Sequence, residues 1–471
     1  RPSLVCLLFS HFSGRVFKQP AIRLDGHAVF WHCRPMKNPS SNHAAQDIPQ
    51  QDVLVHGGGN SAKIAALCLS AAGFRVALHD APTMMLPDWQ SVLALSPASR
   101  VMLETLDIWQ KLDQPSMPIA DMRVYARPTD THADALLPAS LGFGTAKNSA
   151  ADAVEVLAHI VSLASLGRAL SAALESQIEA GHIVRLPCPM VDFNPKEKIA
   201  TLADGTYCQA SLLVDTQKTA SPWRQKAAAR PLRHNYQAAA LVGQLRQDTP
   251  ASAMAQQMFL PSGPLALLPL PKAAADTASV AMVWSLPKAR AEALSKVDPD
   301  VVAHELQKAT QRRFGGLTVE GTLAVQDLQL QLAEDFVEGP IVLLGEAAHV
   351  VHPLAGQGFN LTLRDASLLA DILFETRQLG LALTDGAMLA SYETARRADA
   401  KLIAATTHGL ANLFGGPMAG LARLGLALTG RRVARDENMR SQLNQQANSG
   451  LSLSPQGVPL ARLMRGQRFY D

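Results

Sequence analysis

The sequence predicts an α/β protein in which a parallel sheet is interrupted by a mainly antiparallel one and followed by a helical C-terminal tail. Three observations carry this. Val53-Leu54-Val55, then Gly57-Gly58-Gly59, then apolar positions at helical spacing over residues 64–72 form a strand–turn–helix unit. A second short strand follows at 75–78, as at the start of a parallel sheet. Between residues 238 and 284 the pattern changes to short apolar or alternating runs separated by Pro and Gly, which suits antiparallel strands. A buried-type strand returns at 341–344 and leads through a Gly-rich loop into a helix, so the first sheet resumes after the interruption.

The remaining elements follow in order. Residues 96–112 read as a helix with Pro97 in its first turn. A second long helix spans 154–180 and ends at Gly181, and 212–214 is a buried strand of the first sheet. Strands at 238–245, 258–260, 265–270 and 279–284 carry the inserted sheet, with a helix at 301–314 laid on it. The helix after the returning strand covers 361–374, and the tail from 388 to about 450 is helical, interrupted at Gly415-Gly416-Pro417. The expected division is a poorly ordered extension (1–50), a nucleotide-binding lobe in two parts (51–230 and 336–387), an inserted lobe (231–335) and C-terminal helices (388–471).

Composition narrows the function. A chain of 471 residues is long enough for more than one lobe. With 48% hydrophobic and 18% charged residues it is a folding sequence, not a disordered one. A net charge of +3 gives no case for nucleic acid, and no run of 18 apolar residues predicts a membrane span. The five cysteines are scattered without a Cys-x-x-Cys pair, which argues against a zinc site and against dithiol chemistry and fits a reducing cytosol. No metal is expected.

Gly57-x-Gly59-x-x-Ala62 is a dinucleotide fingerprint with its last glycine replaced by alanine. The first glycine permits the tight turn, the second lets backbone approach a pyrophosphate, and the small third residue lets helix and strand pack closely. Asn60 and Ser61 then open a helix whose N–H groups and positive dipole end suit a phosphate. Asp80 ends the second strand, about 20 residues on, where a carboxylate accepts hydrogen bonds from a ribose. Downstream, Gly345-Glu346 closes the returning strand and Gly356-Gln357-Gly358 opens the next helix. His349 and His352 share that loop, and neither is assigned as a general base; catalytic residues stay unassigned.

The stretch from Gly345 through Asn360 to Arg364-Asp365 resembles the second flavin-binding motif of FAD-dependent aromatic hydroxylases. Its wording His352-Pro353-Leu354-Ala355-Gly356-Gln357-Gly358-Phe359-Asn360 is most similar to the ubiquinone-biosynthesis hydroxylases. Further similarity lies at residues 94–99, 106–109, 118–124, 263–270 and 283–285. The resemblance implies a Rossmann-like FAD-binding domain, an inserted mainly antiparallel substrate domain and a helical tail. It implies FAD as cofactor, with NAD(P)H as a transient reductant. One atom of O2 then passes to an electron-rich ring, here a polyprenylated phenol precursor of ubiquinone. The implied cofactor-binding set is Gly57, Gly59, Asn60, Ser61, Ala62, Asp80, Gly345, Glu346, Pro353, Gly356, Gln357, Gly358 and Asn360. Glu346 would accept from ribitol hydroxyls, and the backbone at 356–358 would face the flavin pyrimidine edge. The family context adds other ubiquinone-biosynthesis proteins as partners. It also implies a cytoplasmic location with at most peripheral contact with the inner membrane, for which residues 410–428 are a candidate; a helix pair packing on the core is the competing reading of those residues.

Departures cluster around the cofactor. The family's Gly-Ala-Asp-Gly reads Asp215-Thr216-Gln217-Lys218, its Gly-Asp reads Gly345-Glu346, and an arginine, a Glu-Asn pair and a glycine read Ser91, Ser162-Leu163 and Thr362. Three readings stay open: an active hydroxylase of ubiquinone synthesis, a catalytically impaired accessory or binding protein, and an FAD enzyme acting on another aromatic compound. All require the loops near 57 and 346 to meet, which is expected at adjacent strand ends.

Overall fold

Strand Gln50–His56 is the axis of the first sheet. It pairs in parallel with Tyr207–Asp215 on one side and Val76–His79 on the other. Ile341–Leu343 continues the sheet beyond Tyr207–Asp215, and Ile183–Arg185 continues it beyond Val76–His79. The central strands are apolar throughout; Val53, Leu54, Val55, Leu212, Leu213 and Val214 are all 0% exposed, as expected for a parallel sheet covered on both faces. Helix Asn60–Ala71 packs on both Leu163–Glu179 and Gln357–Gln378. This computed structural model describes residues 50–79, 91–126, 140–144, 156–186, 188–217, 231–248, 253–271, 278–352, 356–415 and 460–470, all within one compact unit. The extension expected at 1–50 therefore lies outside the described residues, except for Gln50, which opens the first strand.

The second sheet runs in the order His349–Val350, Leu317–Leu332, Leu232–Gln247, Ala278–Pro287, Gly263–Pro269, Met254–Leu260, Asp121–Ala126, Ser140–Gly144. It is antiparallel except where Met254–Leu260 meets Asp121–Ala126. Trp284, Met282 and Leu286 from its centre belong to one buried apolar cluster with Val302 and Leu306 of helix Pro299–Ala309. Two features escaped the pattern reading. Leu317–Leu332 is a long strand rich in Gln, Glu and Thr, with ten of its 16 positions exposed or partly exposed, so no apolar run marks it. Residues 121–144 lend two strands from the first half of the chain. Conversely, His349–Val350 carries the second motif onto this sheet's edge.

Three expected helices are shorter than predicted. Pro97–Thr105 ends in a Schellman turn: Asp107 sits at φ 55°, its N–H donates to Glu104 O, and the Ile108 N–H donates to Leu103 O. The turn buries Ile108 against Leu103, both 0% exposed. The expected helix at 154–180 starts only at Leu163, because Ala158–Ser162 is a strand and the Ser162 hydroxyl caps the helix by accepting from Ser165 N–H. The helix expected to reach 314 stops at Ala309, and Gln311 and Arg312 both have positive φ. The tail helix is Gly386–Gly415; residues 416–459 lie outside the described set, and with them most of the 410–428 candidate for membrane contact. Among the described residues no helix is long and apolar enough to cross a membrane.

Candidate functional site

The first loop is the turn between Gln50–His56 and Asn60–Ala71. Gly57 has φ 141°, a region closed to ordinary side chains, and a Cβ there would collide with Thr216 Oγ1. Ala62 lies beside it, 0% exposed, so the small third residue of the fingerprint does allow close packing of strand and helix. At Gly59, which caps the helix, a Cβ would meet nothing within 4 Å. Open space therefore stands beside a helix N-terminus where Gly59, Asn60 and Ser61 are partly exposed. Asp80 lies outside the described residues.

Beneath this turn the last residues of three neighbouring strands stand in one register row: Asp215, His56 and His79. His56 Nδ1–H donates to Asp215 Oδ1 at 3.1 Å, and its ring stacks on His79 with centroids 5.1 Å apart. Asp215 also accepts the Gln217 N–H, and Thr216 Oγ1–H donates to His56 O. Asp215, 0% exposed, is thus committed to the turn and does not reach out as the acid missing at Gln217. Its Oδ2 and His79 Nδ1 are buried without a hydrogen-bond partner. Burial, and then the neighbouring His56, push the His79 imidazole down to about 4.

The second loop is fixed by buried charge. Gly345, at φ 61°, donates its N–H to Asp365 Oδ2 at 2.9 Å. The same oxygen accepts His349 Nε2–H at 2.7 Å, and Oδ1 accepts Arg396 Nε–H at 2.6 Å. Arg396 and Arg364 both reach Asp399, and the Tyr392 hydroxyl donates to Leu343 O. Burial alone would raise the Asp365 carboxyl, but His349 and Arg396 hold it below the ordinary carboxylate value. His349 is thereby a structural residue of the loop. Arg364 and Asp365 sit in the motif, whereas Arg396 and Asp399 went unnoticed; their signal was an Arg-x-x-Asp spacing on the tail helix, which puts both on one face.

Glu346, next to Gly345, is exposed in a 3-10 turn. Gly356, at φ 63°, leaves only 3.1 Å between a notional Cβ and Ala94 Cβ. Gln357 is buried, Gly358 is partly exposed, and Pro353 is outside the described residues. The Asn360 side chain is fully used within the protein. Its Oδ1 accepts from Ser96 N–H and Ser99 Oγ–H, and its Nδ2 donates to Ala94 O and Gly356 O. It pins the Gly356 turn to residues 94–99.

The two loops meet. A Cβ on Gly345 would stand 3.1 Å from Ser61 Oγ and 3.1 Å from Thr362, the residue that replaces a glycine of the family pattern. The expectation of adjacent strand ends needs correction, because Tyr207–Asp215 lies between Gln50–His56 and Ile341–Leu343. Contact is made instead by the loops and by packing of the two helices that follow them. The arrangement offers helix N–H groups, open backbone at Gly59 and an exposed carboxylate at Glu346, which fits a pyrophosphate-linked cofactor carrying hydroxyl groups.

Comparison with known proteins agrees. The family described as FAD binding domain matches residues 218–407. Ubiquinone hydroxylase UbiL of Rhodospirillum rubrum is 30% identical over 425 residues, 88% of this chain and 92% of its own length. Human ubiquinone biosynthesis monooxygenase COQ6 is 28% identical, with 77% and 85% covered. The 3-demethoxyubiquinol 3-hydroxylase of Escherichia coli is 28% identical, with 74% and 86% covered. Among solved structures, Pseudomonas aeruginosa PqsL in complex with 2-aminobenzoylacetate superposes with a TM-score of 0.63 at 22% identity, covering 80% of this chain and 98% of that one. The p-nitrophenol 4-monooxygenase PnpA of Pseudomonas putida gives 0.62 at 14% identity, with 85% and 99% covered. At these identities the two structures speak for the fold.

Proposed function

We propose that this chain, which belongs to the FAD-dependent monooxygenase family of the ubiquinone hydroxylases, hydroxylates the ring of a polyprenylated phenol. NAD(P)H serves as transient reductant. The observation that carries the reading is the convergence of the Gly57 and Gly345 loops, with Gly345 against Ser61 and open space at Gly59. In this reading the backbone of Gly57, Gly59, Asn60 and Ser61 receives the pyrophosphate, with Ala62 packing the turn. Asp80 takes a ribose, Glu346 takes ribitol hydroxyls beside Gly345, and Pro353, Gly356, Gln357 and Gly358 border the ring system. Asn360 acts by holding the Gly356 turn in place. Bound FAD supplies electron transfer from the nicotinamide and activation of O2. The protein's part is to hold the ring beside the cofactor and keep water out. The lobe boundaries at 230, 335 and 387 belong to this proposal, with residues 121–144 lending two strands to the substrate sheet. So does peripheral membrane contact, which a prenyl tail would require.

One observation favours a second reading, a catalytically impaired accessory protein: Asp215 is turned inward onto His56, leaving Gln217 where the family has its acid. The visible spectrum of the purified protein tests the pair. The hydroxylase reading expects a yellow protein, or one that turns yellow on addition of FAD, and product from a short-chain prenylated phenol with NADH or NADPH. A colourless chain that refuses FAD would sink it.

A further inference from the structure

Three helices that start at the cofactor loops also share a far end. Asn60–Ala71 begins at the Gly59 turn and Gln357–Gln378 at Gly356. Pro97–Thr105 begins at Ser96, whose N–H donates to Asn360 in the first turn of Gln357–Gln378. Roughly 15–20 Å along these helices, at 1.5 Å per residue, residues 460–470 lie across all three. From Pro97–Thr105, Thr105 Oγ1–H donates to Leu463 O, and Asp107 just beyond pairs with Arg468 at 3.0 Å. From Gln357–Gln378, Asp371 Oδ2 accepts the Arg462 N–H at 2.9 Å, and Phe374 meets Phe469 with centroids 5.0 Å apart. At the end of Asn60–Ala71, the Tyr470 hydroxyl donates to Ala72 O at 3.0 Å and accepts from Arg377, whose guanidinium also donates to Ala72 O and Gly73 O. Gly73 is fitted to this contact: at φ 77° a Cβ there would collide with the Tyr470 hydroxyl.

We propose that residues 460–470 are a strap that sets how tightly the protein holds its flavin. Docked, the strap fixes the far ends of the helices whose near ends form the cofactor site; lifted, it lets those near ends part. The inference rests on the FAD-site reading above. Asn60–Ala71 has no side-chain cap at its start, so its near end is placed by packing and by what holds its far end. The strap itself is slight: one 3-10 turn, Arg462–Arg465, with Leu463, Met464 and Phe469 buried and residues 465–468 exposed. Such a turn can lift without unfolding either sheet. No atom of it needs to reach the cofactor, because an element with two positions and rigid helices between the sites are enough to couple them. Linkage then demands reciprocity: the factor by which FAD favours the docked strap is the factor by which lifting the strap weakens FAD.

Hydrogen exchange of the full chain, with and without FAD, tests this. The N–H groups of residues 462 and 464–467 are hydrogen-bonded in the docked strap. FAD is expected to slow their exchange about tenfold, an ordinary size for coupling between sites. Helix Pro299–Ala309, on the second sheet, reports any general stabilisation by the ligand, and the strap has to gain more than that helix does. In Leu463→Asp a charge replaces a buried side chain and the strap should lift; the FAD Kd, read by quenching of flavin fluorescence, is expected to rise about tenfold to match. Tyr470→Phe keeps the ring, loses only the hydroxyl bonds to Ala72 and Arg377, and guards against a Leu463→Asp chain that does not fold; its Kd should rise severalfold. Strap exchange that FAD slows no more than it slows the reference helix overturns the proposal, and this comparison needs no variant. A wild-type Kd in a variant whose strap exchanges freely overturns it too. A wild-type protein that takes no FAD overturns the strap and the hydroxylase reading together. Turnover with a prenylated phenol, NADH and O2 judges the hydroxylase reading by itself: a coupled strap in a protein that forms no product would leave the strap standing and remove the reaction.

Discussion

Around the Gly345 loop two carboxylates and two guanidinium groups interlock. Asp365 is bound by Gly345 N–H, His349 and Arg396, and Asp399 by Arg396 and Arg364. Around the Gly57 turn the corresponding groups are fewer and less complete: Asp215 uses one oxygen on His56 and Gln217, and its other oxygen and His79 Nδ1 are buried without partners. Buried unpaired polar atoms cost about 1–3 kcal/mol each, whereas a buried ion-pair network whose carboxylates each hold several partners mainly costs when one member is removed. The second loop is therefore the fixed wall of the site, and the first is the wall whose stability is open to improvement by whatever binds there.

The sharpest way to break this contrast is to open the network. Asp365→Ala leaves Arg396 and His349 facing an empty position inside the protein. We expect it to lower unfolding free energy by roughly 3–5 kcal/mol, read by urea denaturation of the full chain. A loss under about 1 kcal/mol would mean that the second loop is held by apolar packing instead, within the usual range for an exposed pair.

The glycines give the next effect and separate folding from binding. Gly57→Ala places a Cβ at φ 141° against Thr216, so the turn itself has to shift. Gly59→Val fills space that is empty in the protein. We expect Gly57→Ala to lose about 1–3 kcal/mol of stability together with flavin. Gly59→Val should lose no more than about 1 kcal/mol of stability, the cost of an apolar residue at the helix N-cap, and yet lose flavin by about a hundredfold or more, since two lost charge-assisted bonds already amount to that. Unchanged flavin content in Gly59→Val would show that this space is not where the pyrophosphate lies.

How much of this was legible beforehand follows from the kind of signal each part leaves. The strand at 53–55, its glycines and the strand at 341–344 were readable because a buried parallel strand is a continuous apolar run and a tight turn demands glycine. The strand Leu317–Leu332 was not, because a partly exposed strand tolerates Gln, Glu and Thr at alternate positions. The helix ends at Thr105 and Ala309 were missed for a related reason: Asp107 and Gln311 take positive φ without being glycine. At the site, the motif residues are local in sequence, so a pattern of glycines and carboxylates can single them out. Arg396 and Asp399 act through contacts with distant elements, and nothing near them in sequence announces the partner. The inward turn of Asp215 was hidden in the same way, since it depends on His56 across a strand pair.

The smallest expected effect concerns pH, and it separates the two walls by where they titrate. His79 is held near 4 in the folded protein against an ordinary 6.5. Above pH 6.5 both folded and unfolded chains carry it neutral, so it adds no slope. As pH falls from about 6.5 toward 4 the unfolded chain takes up a proton that the folded one refuses, and stability declines. Asp365, held below its ordinary 3.8, contributes stability that is fully present above that value and is lost only as pH drops beneath it. Acid should therefore weaken the Gly57 wall first and the Gly345 wall later. His79→Leu removes the group that titrates early, so its stability should fall less steeply than wild type between pH 6.5 and 4, and in parallel with wild type below that. Urea midpoints measured at half-unit steps give both slopes. Identical slopes in the upper window would show that His79 is protonated as readily inside the protein as in the unfolded chain, and that the stacked imidazoles beneath the turn add nothing to the acid sensitivity of this wall.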